Sequence, residues 1–216
     1  MSLYQHLSLP LPSSPLTAPT PIFIYGGSGA VASTGLQLAK LSGCTVITTA
    51  SPSNFDYLRS LGADQVLDYR SKTLAEDVLK ANGGKKLLYA WDAQAVGFSA
   101  EICLSVLEES KEARFVTLGG PRPEALKGMN PQVQWSGTNA FTAYGEDFFL
   151  FGRHKAVPED HEFAGKILEI GAQLLKEGRL RVMKVFVNRG GKGLEGMVEG
   201  LEEMGAGRVR GGKLVY

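Results

Sequence analysis

Three groups of residues have the types and spacing to do chemistry. The first is Gly26-Gly27-Ser28-Gly29-Ala30-Val31-Ala32, which follows the apolar run Ile22–Tyr25 and opens into a pattern with apolar residues at Val31, Leu36, Leu38, Ala39 and Leu41. A strand, a glycine turn and a helix in that order set free backbone N–H groups and the positive end of a helix dipole against a phosphate. Glycine lets the backbone come close to that phosphate. Contacts are expected from Gly26, Gly27, Ser28, Gly29, Ala30 and Val31, and the ligand that suits them is a dinucleotide pyrophosphate. The glycine pattern alone is weak. It is strengthened by a second apolar run, Cys44–Thr49, at the spacing of a right-handed crossover.

The second group is Thr49-Ala50-Ser51-Pro52-Ser53-Asn54, at the end of that second strand. Folds that bind NAD place Asp or Glu here for the ribose 2′-hydroxyl. This chain has no acid until Asp56. A carboxylate would repel a 2′-phosphate, whereas hydroxyls and an amide can donate to one. The segment therefore favours NADP(H) over NAD. Ser51 or Ser53 can also cap the next helix, and the two roles are compatible.

The third group is scattered. Asp92 ends the fourth strand as Trp91-Asp92-Ala93, where strand C-termini face the binding crevice. It is a candidate general base, although a hydrogen-bonded turn or helix cap is the plainer role. Leu118-Gly119-Gly120 follows the fifth strand, either as a loop that passes close to a planar ring or as an ordinary turn before Pro121. His154 and His161 flank a charged loop and are expected to be solvated. Cys44 and Cys103 sit in apolar contexts and read as buried thiols, and no metal-ligand spacing is present.

The elements that must position these groups alternate along the chain. Strands are expected at 22–25, 45–49, 65–68, 86–92 and 114–118, with helices at 31–42, 54–61, 74–80 and 99–107 between them. An irregular stretch (122–138) precedes a strand at 138–144. Phe163, Ile167, Ile170 and Leu174 make one stripe of a helix over 162–176, which Gly178 caps. A strand at 182–187, a helix at 194–204 and a strand at 213–216 complete the chain. This alternation predicts an α/β fold, Rossmann-type and doubly wound, with a mainly parallel sheet and helices on both faces. Residues 1–20, with prolines at 10, 12, 15 and 19, read as an N-terminal arm with a short helix at 2–7. Residues 21–216 form the dinucleotide-binding domain.

The 216 residues carry a net charge of +1, which gives no electrostatic case for nucleic acid or an anionic membrane. No secretory signal or membrane span is apparent, so the expected location is cytoplasmic. The cations Arg208, Arg210 and Lys213 read as a surface face.

Several of these segments resemble the medium-chain dehydrogenase/reductase superfamily, within it the zinc-independent fungal trans-acting enoyl reductases. They are Gly26–Ala32, Leu36-Gln-Leu-Ala-Lys40, Ser60-Leu-Gly-Ala-Asp64, Val66-Leu-Asp-Tyr-Arg70, Ile47–Asp56, Phe141–Phe148 and the ending Gly193-Leu-Glu-Gly…Gly212-Lys-Leu-Val-Tyr216. The resemblance implies NADP(H), with Ser51, Ser53 and Asn54 around the 2′-phosphate and Tyr69 near the adenine or the phosphate. Arg59 and Arg70 are then candidate charge partners. It also implies that Leu118 and Gly119 pass the nicotinamide, and that Phe141, Thr142 and Tyr144 line the substrate pocket, with Tyr144 as an acid or a wall. Phe148, Phe149 and Phe151 extend that apolar surface.

Full-length members also carry an N-terminal GroES-like domain, which this chain lacks, so it reads as a short form. Two functions follow from the resemblance. One is NADPH-dependent reduction of an activated C=C in a polyketide-type, carrier-bound intermediate of secondary metabolism, with a second copy or a synthase completing the site. The other is a redox-neutral cyclase, isomerase or dehydratase on the same scaffold. A non-catalytic, NADPH-binding pseudoenzyme is a weaker third.

Overall fold

A computed structural model describes residues 1–118, 123–150, 152–209 and 211–216. Its centre is a six-stranded, all-parallel sheet: β1 (Thr20–Tyr25), β2 (Cys44–Ala50), β3 (Gln65–Asp68), β4 (Tyr89–Asp92), β5 (Arg114–Thr117) and β6 (Gln134–Gly137). Their order is β3-β2-β1-β4-β5-β6. The chain starts in the middle, winds outward to β3, then returns to β4 beside β1. That reversal leaves a crevice beyond the C-terminal ends of β1 and β4, where ligands of doubly wound sheets bind. The register places Ile24 beside Trp91 and Tyr25 beside Asp92, so the glycine turn and the Asp92 turn leave the sheet as neighbours.

Strand alternation divides the core between two faces. Ile22 and Ile24 point to one side, where Val46, Trp91 and Val116 meet Leu36 of α1 (Ala30–Leu41) and Leu58 of α2 (Phe55–Ser60). Phe23 points to the other, where Ile47, Ala90 and Phe115 meet Val78 of α3 (Leu74–Ala81) and Leu104 of α4 (Ser99–Ser105). Burial on both faces explains why the strands read as continuous apolar runs. The arm forms a short wide-turned helix at Ser2–His6, and Leu3, Leu7 and Leu9 are buried in the first core.

Two expectations fail between 122 and 144. The stretch taken as irregular contains β6, whose Trp135 ring packs 4.4 Å from Phe115. The stretch expected to be a strand is a 3-10 turn, Ala140–Tyr144, started by Asn139 Oδ1 accepting from the Phe141 N–H and ended by Gly145 at φ +75°. Asn and Gly at those places stop a strand that the aromatic residues alone suggest. Smaller differences affect element ends. β4 begins at Tyr89, with Leu87 making only an isolated bridge to Leu107.

Past the sheet come two short antiparallel strands, β7 (Phe148–Phe149) and β8 (Arg153–His154), then the long helix α5 (Pro158–Lys176). β9 (Val185–Val187), α6 (Gly193–Gly205) and β10 (Lys213–Val215) end the chain, with β9 and β10 paired in parallel. This tail unit is tied back to α1 by an amide clamp: Gln37 Nε2 donates to Arg181 O and Gln37 Oε1 accepts from Arg181 N, both at 2.9 Å. No described helix is long and apolar enough to cross a membrane.

Candidate functional site

The glycine turn is fixed from below by β2. Gly26 N donates to Thr49 Oγ1 and Gly27 N to Thr49 O, each at 2.9 Å. Gly26 has φ +84°, where a side chain is strained, and a Cβ there would collide with Gln94. Gly27 has no room either, against Thr48 and Leu58. Gly29 is the N-cap of α1 and supplies no side chain to cap it. The first N–H groups of α1, at Ala30 and Val31, therefore lack an intrahelical partner and point into the crevice end of the helix.

A cavity of about 710 Å³ opens at this point. Tyr25, Gly26, Ser28, Gly29 and Ala30 form its floor, and Thr49, Ala50, Ser51, Asn54 and Tyr69 form one side. Ser51 and Asn54 stand at helix N-cap positions, yet neither side chain makes a capping bond. Their hydroxyl and amide thus stay free for a ligand. Ser53 is exposed beside them and does not line the cavity, nor do Gly27 and Val31. Arg59 and Arg70 do not line it either. Arg59 pairs with Asp56 at 3.0 Å, and Arg70 makes a two-pronged pair with Asp68 that holds the Asp68 carboxyl below its ordinary pKa.

The remaining wall was not anticipated. Gln94 and Val96 reach in from the turn after β4, and the tail adds Met183, Met204, Val209, Gly211, Gly212, Lys213 and Leu214. Lys213, read from the sequence as part of a surface face, lines the cavity; Arg210 lies outside the described residues. One signal was available, the Gly211-Gly212 pair. Gly211 has φ +65°, and a Cβ on it would strike Asn54 Oδ1.

Asp92 is fully buried. Its Oδ1 accepts from the N–H groups of Gln94 (3.0 Å) and Ala95 (2.9 Å), and its Oδ2 from Ser99 Oγ (2.6 Å). These bonds hold the turn in which Ala95 takes φ +54° and from which Gln94 reaches over Gly26. Leu118 is exposed, its N–H donates to Asp92 O, and it does not line the cavity. Gly119 lies outside the described residues.

Phe141, Thr142 and Tyr144 sit on the 3-10 turn after β6, and none of them lines the cavity. Tyr144 is 73% exposed, and its ring lies 6.3 Å from Phe141, which in turn lies 5.8 Å from Phe148. Thr142 Oγ1 lies 2.7 Å from Asn139 O and 2.5 Å from Asp160 Oδ2. The two histidines brace this aromatic turn; His161 is exposed, as expected of a solvated residue, whereas His154 is partly buried. His154 stacks on Phe148 at 4.8 Å, and His161 Nδ1 lies 2.9 Å from Ala143 O. Phe149 is exposed, and Phe151 lies outside the described residues.

Burial pushes the Cys103 thiol well up and that of Cys44 to about 11, which makes both poor nucleophiles. Among the described residues no three His, Cys, Asp or Glu gather as metal ligands. The cavity instead fits a dinucleotide. It joins a floor cleared of side chains, a helix N-terminus, unspent hydrogen-bonding groups and one lysine, with no carboxylate among the described residues that line it.

Comparison with known proteins agrees with that fit. Residues 30–148 match the family model described as zinc-binding dehydrogenase. The chain is 38% identical over 209 residues to a dual trans-enoyl reductase/FAD-dependent monooxygenase of Aspergillus terreus, covering 95% of this chain and 29% of that one. It is 35% identical over 232 residues to a trans-enoyl reductase of Aspergillus sclerotiorum, covering 99% and 62% respectively. The chain thus spans less than two thirds of the length of either relative. Among solved structures, an Escherichia coli quinone oxidoreductase complexed with NADPH superposes with a TM-score of 0.68 at 18% identity, covering 94% of this chain and 58% of that one. The chain belongs to the zinc-binding dehydrogenase family.

Proposed function

We propose that this chain is the NADP(H)-binding unit of an enoyl reductase acting on a polyketide-type, carrier-bound intermediate. The observation that carries this reading is the meeting, in one cavity, of the bare glycine turn with the uncapped hydroxyl of Ser51 and amide of Asn54. The helix-start N–H group of Ala30, with the Ser28 and Gly29 turn before it, would hold the pyrophosphate. Ser51 and Asn54 donate to the 2′-phosphate, with Ser53 at the rim, and Tyr69 lies against the adenine. When bound, NADPH would supply the hydride for reduction of the activated C=C of an enoyl thioester.

This chain contributes binding and orientation. Asp92 acts by fixing the turn that carries Gln94. The exposed rings of Phe141, Tyr144 and Phe149 form the apolar wall for the acyl chain. We assign residues 21–216 to the dinucleotide-binding unit and residues 1–20 to an arm docked on it. The facing wall of the nicotinamide site comes from outside these residues, and the relatives' greater length supports that reading.

Calorimetric titration with NADPH and NADH tests the proposal. One NADPH per chain, bound more tightly than NADH, is the expected result. Absence of binding for both nucleotides overturns it.

A further inference from the structure

We propose that Lys213 is the cation that selects the 2′-phosphorylated dinucleotide, an inference that rests on the NADP(H) reading above. A 2′-phosphate brings close to two negative charges into a cleft, and hydroxyls and an amide alone do not neutralise them. Arg59 and Arg70, the cations near the second and third strands, are each engaged by a carboxylate of their own segment and lie outside the cavity lining. Among the described lining residues, Lys213 is the one cation, and it stands without an acid beside it in that lining. No ion pair engages it among the described residues.

Its backbone is held at the adenosine end of the cavity. Two residues before it, Gly211 sits so close to Asn54 Oδ1 that a Cβ has no place there. Lys213 N donates to Lys184 O at 2.9 Å, and Lys184 N lies 3.4 Å from Tyr57 Oη, on the helix that immediately follows Ser51–Asn54. The strand carrying Lys213 therefore lies against Asn54, the last residue of the segment that offers its polar groups to the 2′-phosphate, and is tied through Lys184 to Tyr57 just beyond it. Lysine suits this place because a compact ammonium on a flexible stem reaches a phosphate without a fixed bidentate geometry.

The test is calorimetric titration of wild type, Lys213→Gln and Lys213→Arg with NADPH, NADH and 2′,5′-ADP. Lys213→Gln is expected to weaken NADPH and 2′,5′-ADP about tenfold or more, the usual scale of a lost charge-assisted bond. NADH should change less than about twofold, since it lacks the phosphate. Lys213→Arg should recover most of the loss. Added KCl should erode the wild-type preference for NADPH and leave that of Lys213→Gln nearly flat. Equal losses for NADPH and NADH would place the ammonium on the pyrophosphate and overturn the selectivity claim, as would no loss at all. Wild type that binds neither nucleotide overturns the underlying NADP(H) reading, an outcome seen before any variant is compared. Lys213 is exposed, so matching melting curves will show that the variants fold alike.

Discussion

The sheet and the tail use apolar residues in opposite ways. In β1–β5 and α1–α4 most of them are buried or partly buried, and Phe23, Phe115, Leu36 and Leu104 are at or near complete burial. In α6 the inward seam is Gly196 and Gly200, set against Gly191 and Tyr216, while Leu194 is 79% and Leu201 62% exposed. Glycine lets α6 approach the β9–β10 pair closely but leaves its side chains outside. The sheet half thus holds itself together by burial, whereas the tail is held by a few polar links. Those links are the Gln37–Arg181 clamp and the Tyr57–Lys184 bond, and near the second Gly211 closely approaches Asn54 beside the cavity. Fastening the tail and building the cofactor wall are, in this fold, the same event.

The sharpest way to break that contrast is truncation on each side. Phe115→Ala should cost about 3–5 kcal/mol, because it empties a site packed against Trp135 and its surroundings close only in part. Leu201→Ser should stay within about 0.5 kcal/mol. Urea denaturation reads both, and a large loss at Leu201 would mean that α6 is covered in solution. A second pair uses glycine. A Cβ at Gly35 in α1 would run into the Trp91 ring, which is buried on β4 and cannot leave, so Gly35→Ala should cost about 1–3 kcal/mol. A Cβ at Gly200 meets the Tyr216 phenol at the chain end. That ring can swing out, losing its bond to Arg189 O, while alanine in a helix regains up to about 1 kcal/mol. Gly200→Ala should therefore cost clearly less than Gly35→Ala.

How far each half could be read from sequence follows the same division. The strand–glycine–helix unit and the alternation were legible because local pattern and burial agree there. Asp92 was legible in its plainer reading, a hydrogen-bonded turn residue, and the three internal bonds occupy the carboxylate that the rival general-base reading needs. β6 was missed because Gln134-Trp-Ser-Gly137 is an edge strand with one apolar residue in four, too short for a period to show. Lys213 was read as surface because its neighbours in the cavity, Asn54 and Tyr69, lie some 150 residues earlier, and no local rule links them. His154 was taken as solvated although it is partly buried against the Phe148 ring and the Leu150 carbonyl, a backbone group that sequence cannot single out.

A smaller effect tests the clamp. Gln37 is buried, so Gln37→Leu keeps the packing volume but leaves the Arg181 N–H and C=O without partners, at about 1–2 kcal/mol. If the tail is held mainly by this link, the variant should melt earlier and be cut by protease between 176 and 185 well before the sheet is attacked. NADPH affinity should fall in parallel, since Lys213 travels with the tail. A variant that melts earlier yet keeps its tail protected would mean that β9, β10 and α6 dock through other contacts.

The smallest expected effect decides to which half the arm belongs. Leu3, Leu7 and Leu9 are buried like sheet residues, and His6 lies among them with its carbonyl oxygen 3.4 Å from Arg114 Nη1. Burial pushes the His6 imidazole below its ordinary value of 6.5, the Asp160 carboxylate partly offsets this, and the N-terminal ammonium adds to it. The unfolded chain then takes up the proton first as pH falls. Stability is complete above about 6.5, declines through that value, and levels off once folded His6 also protonates. His6→Gln should flatten this decline between pH 7 and 5, and an NMR titration of the His6 ring should give a midpoint below 6.5. A midpoint at or above 6.5 would mean that Asp160 outweighs burial, and hence that the arm lies loosely on the sheet, held by polar contacts as the tail is.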